Sequence, residues 1–276
     1  MANHLKRINN SKRGLWGLAI IVCLLVCNIY TESIPLNYFV NTGLDRGDSF
    51  RILSYNIHCK DTSFRSNQEK IAEVIAGQTP DIVFLCEFAM SKCRKLDSVM
   101  VNKYGYQHYY LRHANEIFYS KVSIDSIYEI HSQTFSGCKR SLINAAKLNV
   151  KGKNLTVVGC HLSSSRKDFF QGKQNRLVET NKVYESFKDY KSPLIVLGDM
   201  NDFSGSSCLN KLKELNLSDA WWEAGTGYGC TFHSGWMRFR LDHILYNKTY
   251  LKVKNVKVID NYYSDHNAIV ASFCFE

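Results

Sequence analysis

From residue 49 to the C-terminus, short apolar runs recur along the chain, and most of them close on a polar or charged residue. Runs of this length, rich in Val, Ile, Leu and aromatics, predict buried strands. The predicted strands are Phe50–Ile57, Ile82–Phe88, Glu116–Tyr119, Ala145–Val150, Leu155–Leu162, Leu194–Gly198, Asp242–Tyr246 and Ala268–Phe273. Between them, apolar positions spaced by three and four predict helices over Asn67–Gly77, Lys92–Lys103, Phe169–Lys188 and Cys208–Leu215. Strand-like and helix-like stretches alternate with no long linker, which predicts one α/β domain over residues 49–276.

One stretch breaks the pattern. Gly14 to Tyr30, GLWGLAIIVCLLVCNIY, has no charge, and it is at the short end for a membrane-spanning helix. Lys6, Arg7, Lys12 and Arg13 precede it with no acidic residue, while the segment after it is close to neutral. By the positive-inside rule this predicts a cytoplasmic basic segment (1–13), an uncleaved single-pass transmembrane signal anchor (14–30) and an exported domain. Lipidation of Cys23 or Cys27 is the weaker alternative, because Val precedes each where a small residue is expected. Residues 31–48 lack strong periodicity and read as a tether.

An internal echo adds topology. Residues 67–87 run helix, loop, Pro80, apolar strand and then Glu87, and residues 170–199 run helix, loop, Pro193, apolar strand and then Asp199. A doubled unit of this kind suggests two stacked sheets with helices outside, and a site where the strand ends converge.

The strand ends carry the candidate chemistry. Asn56, Glu87, His161, Asp199 with Asn201, Asp242 and the run Ser264-Asp265-His266 each border an apolar stretch. Taken singly, each reads as a cap or turn residue. Taken together, they place carboxylates, amides and imidazoles at six strand ends, where buried charge costs several kcal/mol unless it is paired or metal-bound. Oxygen donors without thiolates point to Mg²⁺, or Mn²⁺, rather than zinc. A cation on a phosphoryl oxygen, a carboxylate holding a water and imidazoles stabilising charge amount to phosphoester hydrolysis.

Composition narrows the class. The 276 residues are 45% hydrophobic and 22% charged with only 3 Pro, which excludes a disordered chain. Net charge is +10, of which residues 1–30 hold +4, so the remainder is modestly basic and suits a phosphorylated or polyanionic substrate. Ten cysteines show no CxxC pair and no zinc spacing; Cys86 and Cys160 fall inside strand-like runs and read as buried thiols.

In order and approximate spacing, LSYNI, FLCEF, CHLSS, GDMND, RLDHI and SDHNAI resemble the endonuclease/exonuclease/phosphatase superfamily, over roughly residues 49–276. That superfamily includes deoxyribonucleases, apurinic endonucleases, inositol-polyphosphate phosphatases, deadenylases and sphingomyelinases. The resemblance implies a four-layered α/β/β/α sandwich of two mixed sheets. It implies Glu87 as the principal Mg²⁺ ligand, with Asn56 and Asp265 close to the metal or to a second metal position. Asp199 would orient or deprotonate the attacking water and Asn201 would hold it or the phosphate. His266, oriented by Asp242, would contact the phosphate or act as base, and His161 would contact the scissile phosphate from the other side. Asp199 and His266 remain alternatives for the base. His161 also separates the chain from the apurinic endonucleases, which carry a Tyr there.

Other residues are weaker. Lys139 and Arg140 could clamp a phosphate or form a solvated hairpin edge, Asn144 could sit near the site, and Arg166 and Lys167 could extend a phosphate rim. His243 follows Asp242 on a strand and so points to the opposite face. Trp221, Trp222, Phe232 and Trp236 could stack on a base, touch lipid or pack under a loop. The expected activity is a membrane-anchored, Mg²⁺-dependent phosphodiesterase with nucleic acid slightly preferred as substrate. A lipid or small phosphomonoester is the alternative, and no obligate protein partner is implied. A non-catalytic module would be expected to lose Glu87, Asp199 or His266; all three are present.

Overall fold

The chain folds as a computed structural model that describes residues 48–276 apart from 62, 111–114, 132–141 and 166–168. The expected basic segment, anchor and nearly all of the tether lie outside the described residues, as do Lys139, Arg140, Arg166 and Lys167. No helix among the described residues is long and apolar enough to cross a membrane.

In chain order the first elements are β1 (Ser49–Asn56), α1 (Phe64–Gly77), β2 (Ile82–Cys86), α2 (Arg94–Ser98, extended by a π-helical turn over Val99–Lys103), β3 (Gln107–Tyr110) and β4 (Glu116–Ser120). There follow β5 (Ile124–His131), β6 (Leu142–Val150), β7 (Lys153–His161), α3 (Phe169–Phe187), β8 (Leu194–Asp199), α4 (Ser207–Lys213) and β9 (Leu217–Asp219). The last are α5 (Ala220–Ala224), β10 (Phe232–Ser234), β11 (Met237–Phe239), β12 (Asp242–Asn247), β13 (Leu251–Ile259) and β14 (Ala268–Phe275).

Two six-stranded sheets result, ordered β13-β14-β1-β2-β4-β3 and β5-β6-β7-β8-β12-β9, with β10 and β11 as a separate hairpin. Each sheet is mixed. Its one parallel pair, β1 with β2 or β7 with β8, is joined by a crossover helix, α1 or α3. The internal echo is therefore a pair of βαβ units, one per sheet. Strand alternation sorts the side chains into layers. Phe50, Ile52, Ile82 and Phe84 of the first sheet meet Leu148, Val157, Ile195, Leu197 and Ile244 of the second in a central core. On the outer faces, Ile71 and Ile75 of α1 cover Leu53, Val83 and Leu85, and Val183 of α3 with Leu209 and Leu212 of α4 covers Val158, Val196 and Leu245.

All eight predicted strands and all four predicted helices exist, with shifted ends. The strand predicted over Ile82–Phe88 stops at Cys86, because Glu87 turns into the left-handed region at φ 55°. β13 was missed: its alternation, LKVKNVKVI, puts lysines along a sheet edge, where they guard against further strand pairing and dilute the apolar signal. β3, β5 and β9 are also edge strands. Two glycines are required by packing. A Cβ on Gly159 would enter the ring of Phe84 across the core, and Gly198, at φ 134°, lies against the backbone of Cys160 on the neighbouring parallel strand.

Gly159→Ala should therefore destabilise the domain by about 1–3 kcal/mol in urea unfolding, the usual cost of overpacking a core. Gly77→Ala, at the end of α1 with open space around its Cβ, should leave the midpoint unchanged or raise it slightly.

Candidate active site

The inner faces of the two sheets are apolar along most of their length and become polar in one terminal layer. Asn56 continues the inward row of Phe50 and Ile52; Asp199 continues Ile195 and Leu197; His161 continues Val157 and Gly159. These three end strands that run parallel to a partner, so they arrive at the same end of the sandwich. Asp242 starts β12, which runs antiparallel to β8, and its register partner is Asp199 itself. Antiparallel β4 likewise brings its first residue, Glu116, opposite Cys86.

Asp199 is the hub of this layer. It is buried, and Asn56 Nδ2 donates to its Oδ2 at 3.0 Å. His266 Nε2 lies 3.6 Å and His161 Nε2 3.8 Å from the same oxygen. The backbone N–H of Asn201 donates to Asp199 Oδ1 at 2.9 Å, and Asn201, in the left-handed region at φ 49°, donates from its side chain to the Leu162 carbonyl at 2.9 Å. Burial pushes the Asp199 carboxyl above its ordinary range, against the pull of His266 and then of His161.

Each imidazole is backed by an acid. His266 Nδ1 lies 2.7 Å from Asp242 Oδ2. Burial opposes a charge on His266, but Asp242 and Asp199 outweigh it and push this imidazole up to about 10. Thr231 sets the pair in place. Its hydroxyl accepts from the N–H groups of Leu241 and Asp242 at 3.1 and 2.9 Å, and its carbonyl accepts from Asn267 at 2.6 Å. The ring of Phe232 covers His266 at 5.0 Å. On the other side, Glu116 Oε1 is 3.9 Å from His161 Nδ1, and burial pushes Glu116 up to about 7 despite that neighbour.

Glu116, Thr231 and Phe232 extend the site read from the sequence. Glu116 had a readable signal, since a lone carboxylate opening the apolar run EIFYS at a strand end matches the pattern that picked out Glu87. Thr231 had none, because its partners are backbone groups brought in by folding. Asn144 faces the inter-sheet space opposite Gly159, one pleat short of the His161 row, with no hydrogen bond to its Oδ1 among the described residues. Arg140 lies outside the described residues. His243 does point away from the site, toward the outer face of its sheet.

Of the expected metal ligands, Glu87 approaches Asn56 directly, and Asp265 is linked to it through Ser264 and His58. Glu87 is half-buried in its left-handed turn, and Asn56 Nδ2 approaches its Oε1 at a long 3.4 Å. Ser264, next to Asp265, donates to the Asn56 carbonyl at 2.8 Å, and Asp265 Oδ1 pairs with His58 Nδ1 at 3.1 Å. Asn56 Oδ1 accepts from the His58 N–H at 3.1 Å, so this amide acts as donor to two carboxylates. A weakly engaged Glu87 carboxylate at the solvent side of an oxygen-rich layer fits a hard divalent cation. Asp199, Asp242 and His266 also lie within 4.8 Å of one another through their ligand atoms. There the imidazole itself fills the space between the two carboxylates, which makes that trio a charge-paired unit.

Known proteins share this fold. A profile described as the Endonuclease/Exonuclease/phosphatase family matches residues 53–266. An endonuclease/exonuclease/phosphatase family protein from Bacteroides thetaiotaomicron is 17% identical, with a TM-score of 0.71 over 83% of this chain and 98% of its own. D. rerio TDP2 complexed with a single-strand DNA product is 19% identical, with a TM-score of 0.68 over 82% of this chain and 98% of its own. The human nocturnin catalytic domain with a bound sulfate anion is 20% identical, with a TM-score of 0.65 over 83% and 94%. No curated protein matches the sequence.

In the metal-free protein, His266 should titrate near 10 by NMR, and Asp242→Asn should lower that midpoint toward the ordinary 6.5. Because the folded-state value is the higher one, this pairing stabilises the fold fully below about 6.5 and ceases to do so as the pH rises toward about 10. Asp242→Asn should flatten the loss of urea stability across that window; an unchanged pH dependence would refute the pairing.

Proposed function

The chain belongs to the endonuclease/exonuclease/phosphatase family, and from that premise we propose that it hydrolyses phosphodiester bonds with Mg²⁺, nucleic acid being the preferred substrate. The observation that carries the reading is the convergence of His266, His161 and Asn56 on one oxygen of the buried Asp199. Two imidazoles and a carboxylate at that spacing can hold a phosphoryl group on one side and a water on the other.

Asp199 is the better base. His266 is held as an imidazolium by Asp242, so it has no lone pair to offer, whereas burial raises the proton affinity of Asp199. In the proposed reaction Asp199 takes a proton from water, the water oxygen bonds to phosphorus in line, and the bond to the leaving oxygen breaks. The leaving oxygen then takes a proton from solvent or an imidazolium. Imidazolium charge at His266 favours the extra negative charge on the phosphoryl oxygens, and the Asn201 turn keeps the carboxylate aimed. Glu87, with Asp265 nearby, would hold the Mg²⁺, which supplies Lewis-acid charge to a phosphoryl oxygen when bound.

Nucleic acid is favoured by the basic surplus and by the single-strand DNA product seen with TDP2. Chain entry favours it as well. β1 starts at Ser49 and reaches the site only at Asn56, so a domain anchored through residues 14–30 would join its tether at the end of the sandwich opposite the site. A second reading, a phospholipid headgroup or small phosphomonoester in the same site, is favoured by the exposed Trp236 and Met237 on the β10–β11 hairpin beside His266.

The full chain in detergent should cleave one member of a panel of single-stranded DNA, duplex DNA, RNA, sphingomyelin and inositol phosphates in Mg²⁺, and EDTA should abolish that cleavage. Asp199→Asn should lower kcat by a factor of about 10³ or more with little change in KM. Glu87→Ala should lose activity and Mg²⁺ binding by calorimetry while keeping its melting temperature. Cleavage of sphingomyelin alone would favour the second reading, and full activity of Glu87→Ala would sink the metal assignment.

A further inference from the structure

Behind the catalytic layer lies a second polar cluster that the reaction above does not use. His243 is fully buried, one residue after Asp242 and on the opposite face of β12. Its Nδ1 is 2.9 Å from Nη1 of the buried Arg240, and its Nε2 is 3.0 Å from the carbonyl oxygen of Asp202. Nδ1 also lies 3.2 Å from Asp219 Oδ2, so this nitrogen is shared between a guanidinium and a carboxylate. On the other side a carbonyl can only accept, so Nε2 must carry a proton, which it donates to Asp202. Arg240 is itself fixed: Nη1 also donates to Asp219 Oδ2 at 2.7 Å, and Nη2 donates to the Ser204 hydroxyl.

The Asp202 carbonyl matters for what precedes it. Asp199, Asn201 and Asp202 form one tight turn in which Asn201 is left-handed and Asp199 Oδ1 is pinned by the Asn201 N–H. The far side of that turn is held twice, by Arg176 of α3 on the Asp202 carboxylate at 3.0 Å and by His243 on the Asp202 carbonyl. We propose that His243, held at Nδ1 by Arg240 and Asp219, is a positioning residue whose Nε2–H holds the Asp199–Asn201 turn in its reactive geometry. The dipeptide Asp242-His243 then serves both faces of the sheet: Asp242 orients His266, and His243 orients the base opposite it. The inference rests on the phosphoesterase reading, in which Asp199 takes the proton.

Three substitutions separate the contacts. His243→Gln places an amide N–H near the position of Nε2 and can restore the Asp202 bond. His243→Asn places an amide oxygen near the position of Nδ1 and can satisfy only Arg240, and His243→Leu satisfies neither. With single-stranded DNA and Mg²⁺, Gln should stay close to wild type. Asn and Leu should lose about 10²-fold in kcat with KM unchanged, the size expected for a misplaced catalytic group. In the metal-free full chain with ¹⁵N-labelled histidine, the signal lost in His243→Gln should be that of an imidazole protonated at Nε2. An imidazole without a proton on Nε2, an active Asn variant, or a Gln variant as impaired as Leu would overturn the proposal. If Leu fails to fold, the Gln–Asn comparison and the Nε2 proton still decide. A wild type that leaves DNA intact would refute the nuclease reading, and the Nε2 proton would then still judge the held turn.

Discussion

A carboxylate stripped of water at the end of a double sheet governs this molecule. Asp199 belongs to the same inward row as Ile195 and Leu197, so closing the central core forces it out of solvent. An unpartnered charge there would cost several kcal/mol. The chain answers with an amide from β1, imidazoles from β7 and from the segment before β14, and its own backbone N–H two residues later. The partners come from both sheets, so the site forms only when the sheets close on each other. The same burial that endangers the fold raises the proton affinity of the carboxylate, which is the property a general base needs.

The doubled βαβ arrangement explains why polar groups from distant sequence positions meet. In each sheet a parallel pair sends both strands toward the same end, and a helix carries the chain back along the outer face. Strand ends therefore accumulate at one edge of the sandwich. Antiparallel neighbours reach the same edge with their first residues, which is how Asp242 and Glu116 join residues that close their own strands.

The two acid–imidazole pairs are unequal. Asp242 holds His266 at 2.7 Å inside a lattice of Thr231 hydrogen bonds and beneath the ring of Phe232, a geometry suited to keeping one charge in one place. Glu116 stands 3.9 Å from a half-buried His161, close enough to stabilise a charge without fixing the ring. The layer therefore has a fixed, charged imidazole on one side of Asp199 and a looser imidazole on the other.

Much of this was legible in the sequence. Short apolar runs ending in carboxylates, amides and imidazoles marked Asn56, Glu87, His161, Asp199, Asp242 and His266, because a buried strand has few reasons to end on such groups unless they meet. Period-two alternation also placed His243 on the far face from Asp242. Edge strands such as β13 escaped because their exposed lysines mask the apolar rhythm, and Thr231 escaped because its role consists of backbone hydrogen bonds. Local pattern thus determined which residues end the buried strands and which faces they share. Only the tertiary structure decided which oxygen of Asp199 the imidazoles address, that Asn56 donates to that same oxygen, that Glu116 backs His161, and that His243 turns Nε2 to the Asp202 carbonyl. Those are distances and directions between residues far apart in the chain, 143 positions for Asn56 and Asp199 and 41 for His243 and Asp202, set by the packing of the sheets.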